Sequence, residues 1–361
     1  MKALIAMSGG VDSSTAAYLM QKDGYECEGV TMRLYHNEDV GVCTYHTCCS
    51  EKDIDDAADV AYKLDIPYEV VDYVDDFEAK VIDKFVRTYE AGGTPNPCID
   101  CNKYMKFDKL LEEALKRGDD YIVTGHYARV EKDETTGRFL LKKAADLTKD
   151  QSYVLYNLTQ DELSHIKFPL GEMTKNEARD IAEAQGFVNA RKHDSEDICF
   201  VPDGDYVKFM EQYTGKKYPE GNFIDPDGNV IGKHRGAVRY TIGQRKGLGI
   251  AAGHPIYVCA KDMKANTVTV GEHDRLFSRR FIADTMNWIS TDGLKESIHC
   301  KCKARYRQVE QPCVVNPLED GRIEVIFDEP QRAVTVGQAA VLYDGDIVIG
   351  GGTIAEVGDL S

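Results

Sequence analysis

The sequence predicts an α/β protein in which an N-terminal parallel sheet, with helices on both faces, is followed by two small, mainly β domains. Over the first 200 residues, short apolar strand patterns alternate with amphipathic helical patterns, which is typical of a parallel sheet. After about residue 205, glycine becomes frequent and turns such as "DPDGN" and "YDGD" recur, which indicates small barrels or sandwiches. We therefore predict domains at 1–204, 205–274 and 275–361.

Each element of the first domain follows from its local pattern. Short apolar runs predict strands at 2–7, 26–34, 67–73 and 120–125, and "YARVEKDETTGRFLLKKA" predicts a hairpin around Thr-Gly. Helical patterns occupy 14–22, 53–64, 76–90, 102–117 and 174–186. Ligands of such sheets bind at the carboxyl ends of the strands. The segments "SGGVDS", "MRLYH" and "GHY" all follow strands, so we expect the site there.

The composition restricts the class of protein. The sequence contains no run of eighteen apolar residues and no recognisable signal peptide, so we expect a soluble, cytoplasmic protein that does not enter a membrane. Eleven cysteines in such a protein are better interpreted as thiols, ligands or catalysts than as a disulfide framework. The net charge is −17, yet 231–249 and 301–308 contain basic residues and no acid, which permits binding to nucleic acid.

The segment "SGGVDSS", residues 8–14, lies between a strand and a helix. Its two glycines allow a tight turn that directs N–H groups toward an anion, and the positive end of the following helix adds to that field. Asp12 within a phosphate-binding loop is explained if the carboxylate holds Mg²⁺ against the phosphates. No lysine follows the second glycine, so this is not the common Gly-Lys-Ser/Thr phosphate loop.

The pattern S-G-G-x-D-S after a first strand resembles the PP-loop of the ATP pyrophosphatases, which cleave ATP to AMP and pyrophosphate and are adenine nucleotide alpha-hydrolase-like in fold. The resemblance implies ATP and Mg²⁺ as cosubstrate and metal. It assigns ATP binding to Ala6, Met7, Ser8, Gly9, Gly10, Val11, Asp12, Ser13, Met32 and Gly125.

The cysteines indicate a narrower family among the ATP pyrophosphatases. "TPNPCIDCN" holds Cys98 and Cys101, and "KHDSEDICF" holds Cys199. A C-x-x-C pair can bind metal, form a disulfide or present a reactive thiolate. Together with the PP-loop and the segments "GHYAR", "KDQSY", "FPLGEMTKNEAR", "YTIGQRKGLGI" and "ARYRQ", they resemble the tRNA-specific 2-thiouridylases over nearly the whole chain. These enzymes place sulfur at position 2 of the wobble uridine, U34, of tRNA.

The resemblance implies a mechanism with two cysteines. ATP adenylates uracil O2, Cys199 carries a persulfide received from a sulfur-donor protein, and the terminal sulfur attacks C2. Cys101 then releases that sulfur and leaves a Cys101–Cys199 disulfide to be reduced. The implied substrate is the anticodon stem-loop of tRNA, with lysine, glutamate and glutamine acceptors.

Cys98 departs from the pattern, because many members have an aspartate at this position that is proposed as a general acid–base. Cys98 is then a spare or resolving thiol, or a ligand, with Cys101 and Cys199, of a [4Fe–4S] cluster. The persulfide account is favoured and the cluster is the alternative. The segment "VCTYHTCCS" adds Cys43, His46, Cys48 and Cys49, whose spacing matches no ligand pattern, and Cys300 and Cys302 are predicted to pack in a core.

The family pattern also assigns contacts with the target base and the tRNA. Uracil O2 is buried in a stacked anticodon loop, so the base is expected to be extruded before reaction. Basic groups for phosphate and aromatic rings for stacking suit such a surface. The assigned residues are Thr94, Pro95, Asn96, His126, Lys149, Asp150, Gln151, Arg305, Tyr306 and Gln338.

Two other functions compete with an ATP-dependent tRNA sulfurtransferase. A PP-loop enzyme acting on a small molecule, such as an amidating synthetase, needs an ammonia source, and no glutaminase segment is evident. A non-catalytic tRNA- or metal-binding protein conflicts with the intact "SGGVDS". The first alternative also leaves Cys98, Cys101 and Cys199 without a role.

Overall fold

A parallel sheet forms the centre of the N-terminal region. The computed structural model describes residues 1–36, 51–192, 198–201 and 203–358. The strands of this region are β1 (Lys2–Ala6), β2 (Glu26–Arg33), β3 (Tyr68–Asp72), β4 (Tyr121–Val123), β5 (Ala128–Lys132), β6 (Phe139–Lys143) and β7 (Ile166–Lys167). Five of them make one sheet in the order β3-β2-β1-β4-β7, and every pairing in it is parallel. The predicted parallel sheet is confirmed.

The five predicted helical segments are observed close to their predicted positions, and the described residues contain two further α-helices, Gln160–Ser164 and Tyr206–Thr214, that were not predicted. The α-helices are α1 (Val11–Lys22), α2 (Glu51–Lys63), α3 (Val74–Phe77), α4 (Asp83–Glu90), α5 (Pro97–Asp100), α6 (Leu110–Arg117), α7 (Gln160–Ser164), α8 (Lys175–Ala184) and α9 (Tyr206–Thr214). Wider π-helical turns at Glu78–Ile82 and Cys101–Lys109 join α3 to α4 and α5 to α6. The helix predicted at 102–117 therefore starts earlier, because Pro97 suits its first turn and the Asn96 side chain accepts from the Cys98 N–H.

The parallel sheet is buried on both faces. Alternate residues of β1 enter two separate cores: Leu4 packs in one with Val30 and Ile122, while Ala3 and Ile5 pack in the other. Side chains of a strand point to opposite faces in turn, so two cores on one strand require helices on both sides. This arrangement leaves the carboxyl ends of the strands as the open edge.

Two antiparallel β units follow, which confirms the predicted fold class. The strands are β8 (Gly221–Ile224), β9 (Val230–His234), β10 (Tyr257–Asp262), β11 (Thr267–Gly271), β12 (Phe277–Trp288), β13 (Ile298–Lys303), β14 (Gln311–Pro317), β15 (Ile323–Arg332), β16 (Ala339–Asp344) and β17 (Ile347–Val357). The first four form a mainly antiparallel sheet in the order β10-β11-β8-β9. The last six run β12-β15-β14-β13-β16-β17, and β12 also pairs with β17, which closes a barrel.

The hairpin β5–β6 belongs to the barrel sheet rather than to the parallel sheet. Its strand β6 pairs with β17 at Lys142 and Ile347. Arg129 donates to the Asp346 carboxylate at 2.7 Å, and Lys143 donates to the Glu310 carboxylate at 2.6 Å. The barrel is thereby attached to the N-terminal domain beside the open edge of its sheet. Within the described residues, no helix is long and apolar enough to cross a membrane.

Candidate active site

A cavity of about 550 Å³ opens where the strands of the parallel sheet end. The predicted nucleotide, thiol and tRNA groups all contribute to its wall. The predicted residues that line it are Ala6, Met7, Ser8, Gly10, Val11, Asp12, Ser13, Met32, Cys98, Cys101, Gly125, His126, Lys149, Gln151, Cys199 and Tyr306. One cavity thus brings together segments that lie up to 300 residues apart, from Ala6 to Tyr306.

Residues 8–14, the nucleotide loop, are held in their conformation by hydrogen bonds of their own serine hydroxyl groups. The Ser8 N–H donates to Ser13 Oγ at 3.2 Å, and the Oγ atoms of Ser13 and Ser14 donate to the Gly10 carbonyl at 3.0 and 3.1 Å. Helix α1 begins at Val11, so its first N–H groups point into the cavity. Such a helix start attracts an anion through its partial positive charge.

Gly9 has a positive φ of +67°, and a Cβ placed there would lie against the Asp53 carbonyl. Its own carbonyl accepts from Asn189 Nδ2 and from Lys192 Nζ, both at 3.0 Å. Lys192 also donates to Asp53 and Asp56 at 2.6 Å. The loop therefore needs glycine at this position. Lys192, which is not part of the loop, holds it by the hydrogen bond to the Gly9 carbonyl and also lines the cavity.

Asp12 is bound by a lysine from a distant segment. Lys175 Nζ donates to both carboxylate oxygens of Asp12 at 2.8 Å, and the Tyr127 hydroxyl donates to Oδ1 at 2.8 Å. The Lys175 side chain is 7% exposed, whereas that of Asp12 is 31% exposed. Thr174 caps α8 with a capping box to Glu177, so Lys175 occupies the first helical position with its ammonium directed to the loop.

Gly125 lies in direct contact with the nucleotide loop. A Cβ at this position would be 2.7 Å from the Asp12 carbonyl carbon and 2.7 Å from the Ser13 nitrogen. Real Cβ atoms do not approach backbone that closely, so the end of β4 and the start of α1 fit together only with glycine here. The sequence assigned Gly125 to nucleotide contact; the structure shows that it sets the position of the loop.

The three thiols of the prediction share the cavity wall. Cys98 is exposed, and Cys101 and Cys199 are half-buried. Cys101 begins the π-helical turn after α5, so Cys98 and Cys101 are one helical turn apart. Cys199 comes from a different segment, whose neighbour Phe200 is buried in an aromatic cluster with Phe77 and Phe85. That cluster anchors the Cys199 segment beside the opening.

The described residues do not present a preformed metal centre. Among them, no group of three His, Cys, Asp or Glu side chains is placed to hold a metal ion. Cys98, Cys101 and Cys199 are all within the described chain and are not part of such a group. The segment with Cys43, His46, Cys48 and Cys49 lies outside the described residues. Cys302 is buried in the barrel core, and Cys300 packs against it, as expected.

His126 is a buried, uncharged residue in the wall of the cavity. It is 8% exposed, its Nδ1 lies 2.6 Å from Thr124 Oγ1, and its ring contacts Phe107 and Phe168. Burial, with a smaller contribution from Lys106, holds the pKa of His126 well below its usual value. The imidazole is therefore uncharged at neutral pH and offers a hydrogen bond rather than a positive charge.

Several residues predicted to contact tRNA are engaged within the protein. The Asp150 carboxylate accepts from the Ala144 and Ser152 N–H groups. Arg305 donates to the Ile242 carbonyl and to Thr335 Oγ1. The remaining residues of this set, which do not line the cavity, are Thr94, Pro95, Asn96 and Gln338; Gln338 donates to the Thr94 carbonyl at 2.6 Å. Of these side chains, Arg305 and Gln338 connect the barrel to the other domains.

Sequence reasoning missed both lysines at the nucleotide loop. Lys175 lies in the segment "FPLGEMTKNEAR" and Lys192 in "KHDSEDICF", both noted for resemblance rather than for a charge near ATP. Neither is near "SGGVDSS" in sequence, so only the fold places them there. The available signal was the lone Asp12 carboxylate, which needs a counter-ion once it is enclosed by protein.

Comparison with known families covers nearly the whole chain. The family described as "tRNA methyl transferase HUP domain" matches residues 1–203. The "tRNA methyl transferase PRC-barrel domain" matches residues 207–272, and the "Aminomethyltransferase beta-barrel domain" matches residues 278–354. The three matches follow one another in the order of the three sheets.

Curated relatives are similar over their full length. The tRNA-specific 2-thiouridylase MnmA of Acetivibrio thermocellus is 49% identical over 98% of this chain and 99% of its own. That of Clostridioides difficile is 47% identical over 98% of both chains. A solved 4-thiouridine synthetase–RNA complex with bound ATP is 17% identical, with a TM-score of 0.34, over 59% of this chain and 50% of that one. The structural similarity to this synthetase is too low to support a conclusion. The sequence identity to the two curated relatives is high over their full length.

Proposed function

The chain belongs to the tRNA-specific 2-thiouridylase family, and from that membership we propose that it converts the wobble uridine of tRNA to 2-thiouridine at the expense of ATP. The observation that carries the proposal is the single cavity that holds the nucleotide loop together with Cys98, Cys101 and Cys199. ATP activation and thiol chemistry then take place within reach of one base.

In the first half-reaction, uracil O2 attacks the α-phosphorus of ATP and pyrophosphate leaves. The start of α1, at the end of the nucleotide loop, offers N–H donors to the phosphates. Asp12 fits as the protein ligand of Mg²⁺, since such ions are held by one or two carboxylates plus substrate phosphates. Mg²⁺ would neutralise the charge that develops on the pyrophosphate. Lys175 balances the charge of Asp12.

In the second half-reaction, the terminal sulfur of a Cys199 persulfide attacks C2 and AMP leaves. The thiolate of Cys101 then attacks Cys199 Sγ, which forms a Cys101–Cys199 disulfide and releases sulfur on the base. A reductant regenerates both thiols. Both cysteines line the cavity, as two reacting thiols must. We propose a persulfide-bearing protein as the sulfur donor, and Cys98 as an additional thiol at the exposed rim.

A cluster-based reaction has less support. A [4Fe–4S] cluster on Cys98, Cys101 and Cys199 requires three thiolates gathered around one point, and the described residues contain no such group. No step is therefore assigned to a cluster. A small-molecule substrate would leave the thiols of the cavity unused.

The proposal is tested by thiolation of an anticodon stem-loop transcript with ATP and a persulfide donor, with 2-thiouridine measured by mass spectrometry. Cys199→Ser and Cys101→Ser are expected to form no product, because each removes a sulfur from the transfer sequence. Cys27→Ser is the matched control, since Cys27 is buried in β2 and does not line the cavity. It is expected to retain activity.

Two outcomes would contradict the proposal. One is a wild-type protein that consumes ATP with a small acceptor and never thiolates tRNA. The other is normal product from Cys199→Ser, which would remove the persulfide step while leaving the family's substrate in place. Cys98→Ser addresses the rim thiol: retained single-turnover product with a lost second turnover would make Cys98 a resolving thiol.

A further inference from the structure

A second cavity, of about 460 Å³, lies between α4 and the barrel, on the outer side of the segment that starts at Thr94. Its wall carries three cationic side chains and no acidic one. The lining residues are Ala79, Lys80, Lys84, Arg87, Thr88, Ala91, Gly93, Tyr104, Val336 and Gly337. On a chain with net charge −17, such a concentration of positive charge needs an explanation.

The cavity adjoins the predicted target-base segment directly. The Thr94 N–H donates to the Val336 carbonyl at 3.1 Å, and Val336 lines the wall together with Gly93, the residue before Thr94. Tyr104 lies three residues after Cys101 on the same helical segment. The wall is therefore formed by the elements that position Cys101 and Thr94, although it is separate from the cavity that holds the thiols.

The charges of the wall differ in how firmly they are engaged. Lys84 forms an ion pair with the buried Asp100 at 2.7 Å, so the Lys84 charge is already balanced within the protein. The Arg87 side chain is 78% exposed and forms an ion pair along its own helix with Asp83, at 3.1 Å. Exposed pairs of that kind contribute little and are readily exchanged. Lys80 lies with its ammonium 5.5 Å from the Tyr104 ring centre.

We propose that this surface, the Lys80–Arg87 pocket, binds the phosphodiester backbone of the tRNA next to the extruded uridine. The inference rests on the proposed function, because it takes tRNA as the substrate. Exposed lysine and arginine side chains bind backbone phosphates whatever the base sequence of the nucleic acid. Backbone contacts on both sides of a flipped base hold the strand while the base leaves the stack.

The test replaces both exposed cations, Lys80→Ala with Arg87→Ala, and leaves Lys84 intact because it pairs with Asp100. The dissociation constant of an anticodon stem-loop is measured against salt. Removing two phosphate contacts should lower the slope of log K against log salt by about 1.4–1.8. The ratio of the variant's dissociation constant to that of wild type should then fall about tenfold when the salt concentration rises fourfold. The KM for ATP should not change.

The matched control removes two lysines from the opposite edge of the sheet, Lys2→Ala with Lys116→Ala. This pair should reproduce the wild-type slope. Arg87→Lys, which keeps the charge, should restore most of the binding lost in Arg87→Ala, and thereby distinguishes a lost contact from a damaged fold. Salt slopes equal in the double variant and wild type would overturn the proposal. A wild type that binds and thiolates no tRNA would instead overturn the proposed function.

Discussion

Lys175 supplies a positive charge beside the nucleotide loop that no residue within the loop provides. Its ammonium is 2.8 Å from both oxygens of Asp12 and is almost completely buried. A buried pair of this kind is costly to break, because one charge is then left without a partner. We therefore expect Lys175 to hold the Asp12 carboxylate in place at the nucleotide loop.

Lys175→Met is expected to lower the rate of ATP-dependent thiolation by about 10²-fold and to raise the KM for ATP, because the charge opposite Asp12 is lost at a preorganised site. Lys175→Arg should recover part of the rate, since it retains the charge in another shape. Steady-state kinetics with ATP varied at saturating tRNA measures both. Unchanged kinetics in the methionine variant, with the fold intact by circular dichroism, would show that Asp12 needs no counter-ion.

At the scale of elements, the junction between β4 and α1 determines where the nucleotide loop lies. Gly125 approaches the backbone of Asp12 and Ser13 so closely that a side chain cannot be added without displacing α1. Helix α1 begins at the loop to which we assign ATP binding, so a displacement at Gly125 is expected to move that loop. The close approach is a property of two packed elements rather than of one residue.

Gly125→Ala should raise the KM for ATP about tenfold or more, since overpacking of this kind typically costs ~1–3 kcal/mol. Gly232→Ala is the matched control: Gly232 has an ordinary φ, and an added Cβ would make ordinary van der Waals contacts with Ile250 at 3.4 Å and Phe223 at 3.6 Å. Isothermal titration of each variant with ATP compares them. Equal affinity for ATP in both would mean that the loop accommodates the extra carbon.

The strands of the parallel sheet and its long helices could be predicted from sequence because hydrophobic periodicity is a local signal. The strand predicted at 26–34 is observed at Glu26–Arg33, and the helix predicted at 174–186 at Lys175–Ala184. The hairpin β5–β6 was predicted as a hairpin, but its pairing with β17 was not. That pairing joins residues about 200 apart, and no local pattern encodes a partner at that distance.

The site shows the same division. Motifs located the nucleotide loop and the three cysteines, since each is a short pattern with its own chemistry. The groups that complete the site, Lys175, Lys192 and Phe200, are ordinary residues whose role comes only from the positions the fold gives them. Their contribution is therefore visible in the structure and not in the sequence.

At the scale of the whole molecule, two buried histidines connect global stability to pH. His126 in the N-terminal domain and His234 in the central domain are nearly inaccessible, at 8% and 1% exposure. Burial lowers the pKa of both rings. His234 is also fixed by the Gly236 N–H, which donates to its Nδ1 at 3.1 Å, so that nitrogen accepts and cannot carry a proton.

The sign of the effect follows from proton uptake. A histidine of the unfolded chain binds a proton below its ordinary pKa of about 6.5, whereas the buried rings stay neutral there. The unfolded state then binds more protons, so the free energy of unfolding falls as the pH drops below that value and is independent of these rings above it. The N-terminal and central domains carry one such ring each, so acid weakens both.

The midpoint of urea unfolding should accordingly fall between pH 7.5 and pH 5, and the fall should be smaller in His126→Gln and smaller still when His234→Gln is added. His299→Gln, on an exposed position of β13, is the control and should follow the wild-type curve. Far-ultraviolet circular dichroism against urea at each pH measures the midpoints. The same fall in the double variant as in wild type would show that other groups govern acid stability, because neither buried ring would then bind a proton on unfolding.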